Sequence, residues 1–281
     1  MDIQLGTQRI LVLEEREGLE PLRQRAMDKR TQAFVSGLGS LLQRPKAEDI
    51  DLVTTQRRLE PFWHVAGEAH YVYERRRDYS VPASAPEVRE VTIHDTAYPV
   101  ASSGRGAGSF TVSAVEHCRE EIRHELNVDA RSGATVAEAV QLLGAAHHEV
   151  ADPASLSSGD TVVVPPEQRA SFVVRKLLGE MMKPVQADAI LEETLALETT
   201  DLVYRPIWAF EFHWRTKDKR GVVEIDGVTG AVHAGGSLLP QLGRVITRDA
   251  LFDIGADTVG LLVPGGSIAV KVARAALDKG Y

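Results

Sequence analysis

Residues 204–214, YRPIWAFEFHW, decide how the rest of the chain is read. Trp208, Phe210, Phe212 and Trp214 alternate with Ala209, Glu211 and His213, the period of two that sets one group of side chains on one face of a strand. Such an aromatic row serves either as a platform for stacking bases or sugars or as the inner face of a small sheet. A sheet with a helix beside it has to bury one face, and this is the only apolar face here. Core burial is the expectation.

The stretch before this strand, SFVVRKLLGEMMKPVQADAI, has a counterpart near the N-terminus, AFVSGLGSLLQRPKAEDI. Phe34 and Val35 correspond to Phe172 and Val173, and Gly39, Leu41 and Leu42 to Gly179, Met181 and Met182. Pro45, Ala47 and Ile50 match Pro184, Ala187 and Ile190; Pro61 and Trp63 match Pro206 and Trp208. Each copy reads as a helix followed by a strand. Phe172, Val173, Leu177, Met181 and Met182 recur at helical spacing until Pro184 stops them. In the first copy Trp63, Val65, Gly67, Ala69, Tyr71 and Tyr73 share one strand face. The second copy returns through GVVEIDGVTGAVHAGG, where Asp226-Gly227 suits a tight turn. No such return follows Tyr79 in the first copy, which is expected to be degenerate or to close differently.

The ending VEIDGVTGAV resembles the PepSY-like module, whose last strand reads Val-x-hydrophobic-Asp-x-x-Thr-Gly-x-Val. Val223, Ile225, Asp226, Thr229, Gly230 and Val232 carry the resemblance, which spans about residues 170–234. It implies a helix packed on a small antiparallel sheet and a non-catalytic binding or regulatory role. Such modules are often exported, and here the chain departs from them. The opening MDIQLGTQRILVLEEREG has no basic segment followed by an apolar run, so no signal peptide is expected.

Composition sets further bounds. The 281 residues are 43% hydrophobic and 26% charged, ordinary for a globular protein of one to three domains. The net charge of −8 argues against general binding to phosphate backbones. Cys118 is the only cysteine, which excludes an intrachain disulfide and suits a cytoplasmic location. No apolar run approaches the length of a spanning helix.

Between the copies, Pro82 to about residue 90 reads as a linker, and SSGRGAGSF as a flexible loop lacking the lysine of a P-loop. SAVEHCREEIRHELN reads as a helix with His117, Glu121 and His124 on one face, the chain's best candidate metal constellation. Cys118 and Glu125 form a neighbouring row, and His147 and His148 offer further nitrogen. The competing reading is a solvated charged helix, since neither a His-Glu-x-x-His nor a paired Cys-x-x-Cys pattern is present. GATVAEAVQLLGAAHH reads as a second helix with Thr135 and Glu138 as a capping box, and DPASLSSGDTVVVPP as turn, strand and stop. Two basic clusters, Arg75, Arg76 and Arg77 in one hairpin and Arg215, Lys217, Lys219 and Arg220 in the other, would mark an anion-binding side if the copies packed about a pseudo-twofold axis. The tail reads as two short helices broken at Pro264-Gly265-Gly266. Asp249, Asp253 and Asp257 mark the first, and Lys271, Arg274 and Lys279 the second.

The expectation is therefore an α+β protein. Two related helix-plus-antiparallel-hairpin modules (1–82 and 166–236) flank a middle α/β segment (83–165) and precede a helical tail (237–281). Its expected role is non-enzymatic binding or assembly through a protein partner, or self-association through residues 247–281, with no cofactor. The alternatives are a metal-dependent hydrolase using His117, Glu121 and His124, and a peripheral protein holding anionic membrane or nucleic acid at its basic tips.

Overall fold

The computed structural model describes residues 2–34, 45–101, 106–157, 160–182, 184–239, 247–254 and 271–274. Three long strands organise them: β2 (Ile50–Pro82), β5 (Ser109–Asp129) and β8 (Ala189–Trp214). β2 and β8 run antiparallel from Ile50↔Trp214 to Glu74↔Ala189, interrupted by three register shifts. Along its other edge β8 takes β1 (Asp2–Leu13) in parallel over Thr194–Tyr204, then β9 (Lys219–Asp226) antiparallel over Ile207–Trp214. The outer edge of β2 repeats that order. It takes β7 (Val162–Val163) in parallel at Arg58–Leu59, then β5 antiparallel over Phe62–Pro82. Among the described residues this makes one nine-stranded mixed sheet. A separate hairpin, β3 (Glu90–Ile93) and β4 (Thr96–Pro99), stands at the far end of the β2–β5 ribbon.

Two helical regions cover one face. Helix α3 (Ala170–Met181) sets Val173, Val174, Leu177, Leu178 and Met181 on Trp63, Val65, Ala69, Tyr71, Leu195 and Leu197. The strand face read in the first copy is therefore core: Trp63 is fully buried, and its indole N–H donates to the Gln168 carbonyl at 2.8 Å. Gly67 is where α3 comes closest, because a Cβ there would stand 2.7 Å from the Ala196 carbonyl oxygen and 3.2 Å from Met181 Cε. Helix α1 (Leu19–Lys29) places Leu22 and Ala26 over Phe210, Phe212, Trp214, Val223 and Ile225. Phe210 and Phe212 are fully buried, while Trp208 is half-buried and stacks on Phe210 with ring centroids 6.5 Å apart. The aromatic row is the inside of a sheet. On the opposite face Leu11, Leu13, Phe62, Val203 and Val228 pack with Leu142 of α2 (Ala139–Leu143).

The return strands β5 and β9 end in the same turn. Asp226 Oδ1 accepts from the Val228 and Thr229 amides, Thr229 Oγ1 accepts from the Ala231 amide, and Gly230 has φ of +74°. At the end of β5, Asp129 Oδ1 accepts from the Arg131 and Ser132 amides, Ser132 Oγ accepts from the Ala134 amide, and Gly133 has φ of +73°. The backbone bonds match too: Asp226 N–H to Ala231 O and Gly230 N–H to Asp226 O, beside Asp129 N–H to Ala134 O and Gly133 N–H to Asp129 O. The turn absent after Tyr79 therefore has its equivalent at DARSGATV, residues 129–136, well beyond it.

Several local expectations are corrected. Residues 113–127 form strand, not helix: Cys118, Ile122 and Leu126 are four apart, a spacing that one helix face and one strand face both satisfy. Pairing with twenty-one successive residues of β2 decides for the strand. His147 and His148 belong to β6 (His147–Glu149), paired with β1, and α2 is shorter than read, with no side-chain cap. Thr135 instead makes a bridge to Val128. In the tail, α4 (Arg248–Leu251) is a single turn that sends Leu251, Phe252 and Ile254 into the main core, where Phe252 meets Trp63 edge-on. Residues 271–274 are not helix; β11 (Lys271–Arg274) lies parallel to β1. Residues 35–44, 102–105, 255–270 and 275–281, on which parts of the repeat, the glycine-rich loop and the tail fall, lie outside the described residues.

Candidate functional site

Beyond the Phe62–Val203 cluster, the face of β2, β5 and β8 turned away from α3 is mostly polar, and histidines punctuate it. His64 Nδ1 lies 2.9 Å from Asn127 Oδ1 and 3.5 Å from Glu125. His70 sits between Glu121 and Glu192, each 3.8 Å away on a flanking strand. His117 reaches Glu74 at 3.0 Å, and Arg123 reaches Glu68 at 3.2 Å. At the margin, Arg9 makes a two-point contact of 2.9 and 2.6 Å with the buried carboxylate of Asp201, which raises the guanidinium pKa. These are cross-strand pairs, the unit from which sheets draw side-chain stabilisation.

The proposed metal constellation is taken apart by this geometry. His117 and Glu121 lie on the polar face, whereas His124 is on the other, hydrogen bonded to Glu180 of α3. Strand geometry also sets His117 and His124 roughly 23 Å apart along the chain. Among the described residues no group of three or more His, Cys, Asp and Glu side chains is arranged to hold a metal ion. Cys118 lies half-buried and unbridged beside Tyr73, whose hydroxyl pKa is raised chiefly by burial.

The basic clusters do not meet either. Arg75–Arg77 follow the last β2 residue paired with β8, and Arg215–Arg220 surround the opposite end, where Trp214 pairs with Ile50. On the order of 80 Å of extended chain separates the two ends. Acidic neighbours engage several of these cations: Arg75 with Glu116, Arg215 with Asp51 at 3.3 Å, and Arg220 with Glu211 at 2.8 Å. Arg77 instead contacts Gln186 at 3.4 Å.

Beyond Glu74, β2 leaves β8 behind, and residues 75–82 continue as a two-stranded ribbon with β5 109–116. Here Glu116 accepts from both the Tyr79 hydroxyl and the Arg75 guanidinium, and these bonds, Tyr79 first, hold its carboxyl below the usual glutamate range. The same bond raises the Tyr79 hydroxyl. Tyr79, Val81 and Val115 are the ribbon's exposed apolar side chains, while Tyr98 of the terminal hairpin packs on Phe110.

One ionic cluster had no signal in the sequence. Arg58 is buried and holds Glu60 at 2.8 Å, Glu224 at 2.9 Å and the Ser237 carbonyl at 2.8 Å, tying β2, β9 and the segment after β10 (Val232–Ala234) together. Arg205 extends it to Asp226 at 3.6 Å. Each of these residues reads as an ordinary exposed charge until the strands are paired. Among the described residues no helix is long and apolar enough to cross a membrane. The chain matches no family model, and no curated protein or solved structure is significantly similar to it.

Proposed function

We propose that this is a cytoplasmic binding or assembly protein that acts through protein contacts and carries no chemistry of its own. The observation behind this reading is the β2–β5 ribbon. It runs past the end of β8 and, among the described residues, leaves the outer edge of β5 without a partner strand between Phe110 and Leu126. Unpaired strand edges are templates for another chain, because their N–H and C=O groups already point outward.

We read the body that carries this ribbon as an internal duplication of a β-α-β-β unit with its first half exchanged. β1 lies parallel to β8 and β7 parallel to β2, so each unit's first strand sits on the other unit's long strand. Likewise α1, which precedes β2, covers β8 and β9, and α3, which precedes β8, covers β2 and β5. Trp63 and Trp208 both occur in the long strands, and the two Asp-x-x-Ser/Thr-Gly turns share their hydrogen bonds. Phe34 and Phe172 fit less well, since Phe34 packs on Trp214 whereas Phe172 is half-exposed. On this reading the PepSY-like resemblance extends to both turns, Asp129-Ser132-Gly133 beside Asp226-Thr229-Gly230.

Site-specific photo-crosslinking tests the contact reading. A crosslinker replacing Arg119 on the edge is expected to capture protein in native extract or a second copy of the chain, while one replacing Lys217 at the opposite end captures neither. Equal capture from both positions, or none from either, would count against the ribbon as the contact element.

A further inference from the structure

We propose that the outer edge of β5 pairs antiparallel with β5 of a second copy, centred on Ile122, to join two sheets into one; this rests on the contact reading above and names its partner. Which backbone groups are available follows from register. Ser109 exchanges both of its backbone bonds with Ala101 on the outer side, and at the other end Asp129 N–H and Asn127 C=O are taken by Ala134 and Val136. The β2–β5 register is unbroken between these points, so the odd-numbered residues 111–125 turn their N–H and C=O groups outward. The even-numbered ones bond to β2.

A twofold axis normal to the sheet keeps each face on its own side, so it must pair residues symmetrically about one position. With Ile122 at that position, Glu121 opposes the partner's Arg123 and Arg119 opposes the partner's Glu125 on the polar face. On the α3 face Glu120 opposes the partner's His124, Ile122 meets itself, and Cys118 opposes the partner's Leu126. Every charge in residues 119–125 then faces its opposite or a histidine. Neighbouring registers fail. Centring on Glu121 sets that carboxylate against itself and Arg119 against Arg123; centring on Arg123 sets that guanidinium against itself and Glu121 against Glu125. Centring on Glu120 opposes it to itself. Centring on His124 runs into Asn127 and Asp129, whose outward groups are already bonded. Like charges directly opposite destabilise a ladder, so among registers centred on residues 120–124 the one on Ile122 alone pairs every charge while the outward groups are free. The side chains are placed for it: Arg119, Glu121, Arg123 and Glu125 are each more than half exposed.

Light scattering after gel filtration across a concentration series reads the outcome. The full chain is expected to approach twice its 30.7 kDa mass. Glu121→Arg and Arg123→Glu should each weaken the dimer roughly tenfold or more, because symmetry repeats every like-charge contact. The double variant Glu121→Arg/Arg123→Glu should recover it. Within one chain these residues serve different partners, Glu121 with Arg119 and His70 and Arg123 with Glu68, so an intrachain defect would add rather than cancel. A second readout fixes the register. Ile122→Cys in a Cys118→Ser background places two thiols at a non-hydrogen-bonded pair on the axis, close enough to bridge on oxidation. A monomer at every concentration overturns the self-pairing while leaving crosslinking to another protein as a separate result. A dimer indifferent to both charge reversals, or one that Ile122→Cys does not bridge, overturns it equally.

Discussion

Arg58 offers the sharpest test of how the core is tied together. Its guanidinium is almost wholly removed from solvent and stands between Glu60 at 2.8 Å and Glu224 at 2.9 Å, with a third bond to the Ser237 carbonyl. An exposed ion pair contributes about 0–1 kcal/mol, whereas removing one partner of a buried pair costs about 3–5 kcal/mol because the other charge is left uncompensated. Arg58→Ala strands two carboxylates at once, yet each is about one-fifth exposed, 21% and 20%, and draws some water back. The expected loss is therefore about 3–4 kcal/mol, the lower part of the buried range. Replacing the whole cluster is a different perturbation. Arg58→Met with Glu60→Gln and Glu224→Gln leaves no stranded charge and should recover most of the loss, since a buried ion network exchanged as a unit is often close to neutral. Urea unfolding of the variants, with the slope checked for constancy, measures both values. An Arg58→Ala loss under about 1 kcal/mol would refute the reasoning, because it would mean the cluster behaves as a surface pair.

Phe212→Ala, at a fully buried site under α1, should cost about 3–5 kcal/mol in the same assay. A melt close to wild type would return the aromatic row to the status of an open platform. Gly67→Ala drives a methyl to 2.7 Å from a backbone carbonyl and is expected to destabilise by about 1–3 kcal/mol, with near-UV circular dichroism reporting loosened packing of α3. Glu116 should titrate below the ordinary glutamate value of 4.5 by NMR, and Tyr79→Phe should move its midpoint upward by removing the larger cause. Its folded pKa is depressed, so the ribbon contact it supplies is fully present above the unfolded value and is lost as pH falls through the folded one. Asp226→Ala should cost about 1–3 kcal/mol by leaving turn amides unpaired at a buried site, and Asp129→Ala about 0.5–1.5 kcal/mol, because its turn amides are exposed and regain water. Equal tolerance of both substitutions, seen as unchanged melts, would separate the shared turn geometry from any shared stabilising role.

How much of this was legible depended on whether local pattern and tertiary pairing agreed. The strand faces at 63–73 and 208–214 were readable because alternation is a local property and each face has one chemistry. Helix α3 was readable for the same reason, with Pro184 close behind it. β5 was misread because its apolar residues sit four apart and the intervening residues, Arg, Glu and His, favour or tolerate helix; only its partner β2 distinguishes the two. The turn at Asp129 has no local link to β2, because the ribbon between them is longer than any short-range pattern spans. Arg58 had no local signal at all, since its burial is set by strands that come together from distant parts of the chain.

The two hairpins differ where a contact function would require them to differ. β9 spans Lys219–Asp226, and its outer edge carries β10 from Val223 to Ile225. β5 ends in the same kind of turn at Asp129, but among the described residues its outer edge is occupied only at Ala134–Val136 and at Ala101. The long stretch between is open among the described residues, and it is the stretch whose charges oppose one another about Ile122. Charge of any sign keeps other strands away from a solvated edge; the order in which Arg119, Glu120 and Glu121 mirror Glu125, His124 and Arg123 adds a match for each charge across a twofold axis. A lone like-sign run protects an edge; an antisymmetric run offers one register in which all of its charges are matched. The elongated hairpin is thus the half of the molecule in which strand length, backbone availability and charge order converge on a single partner.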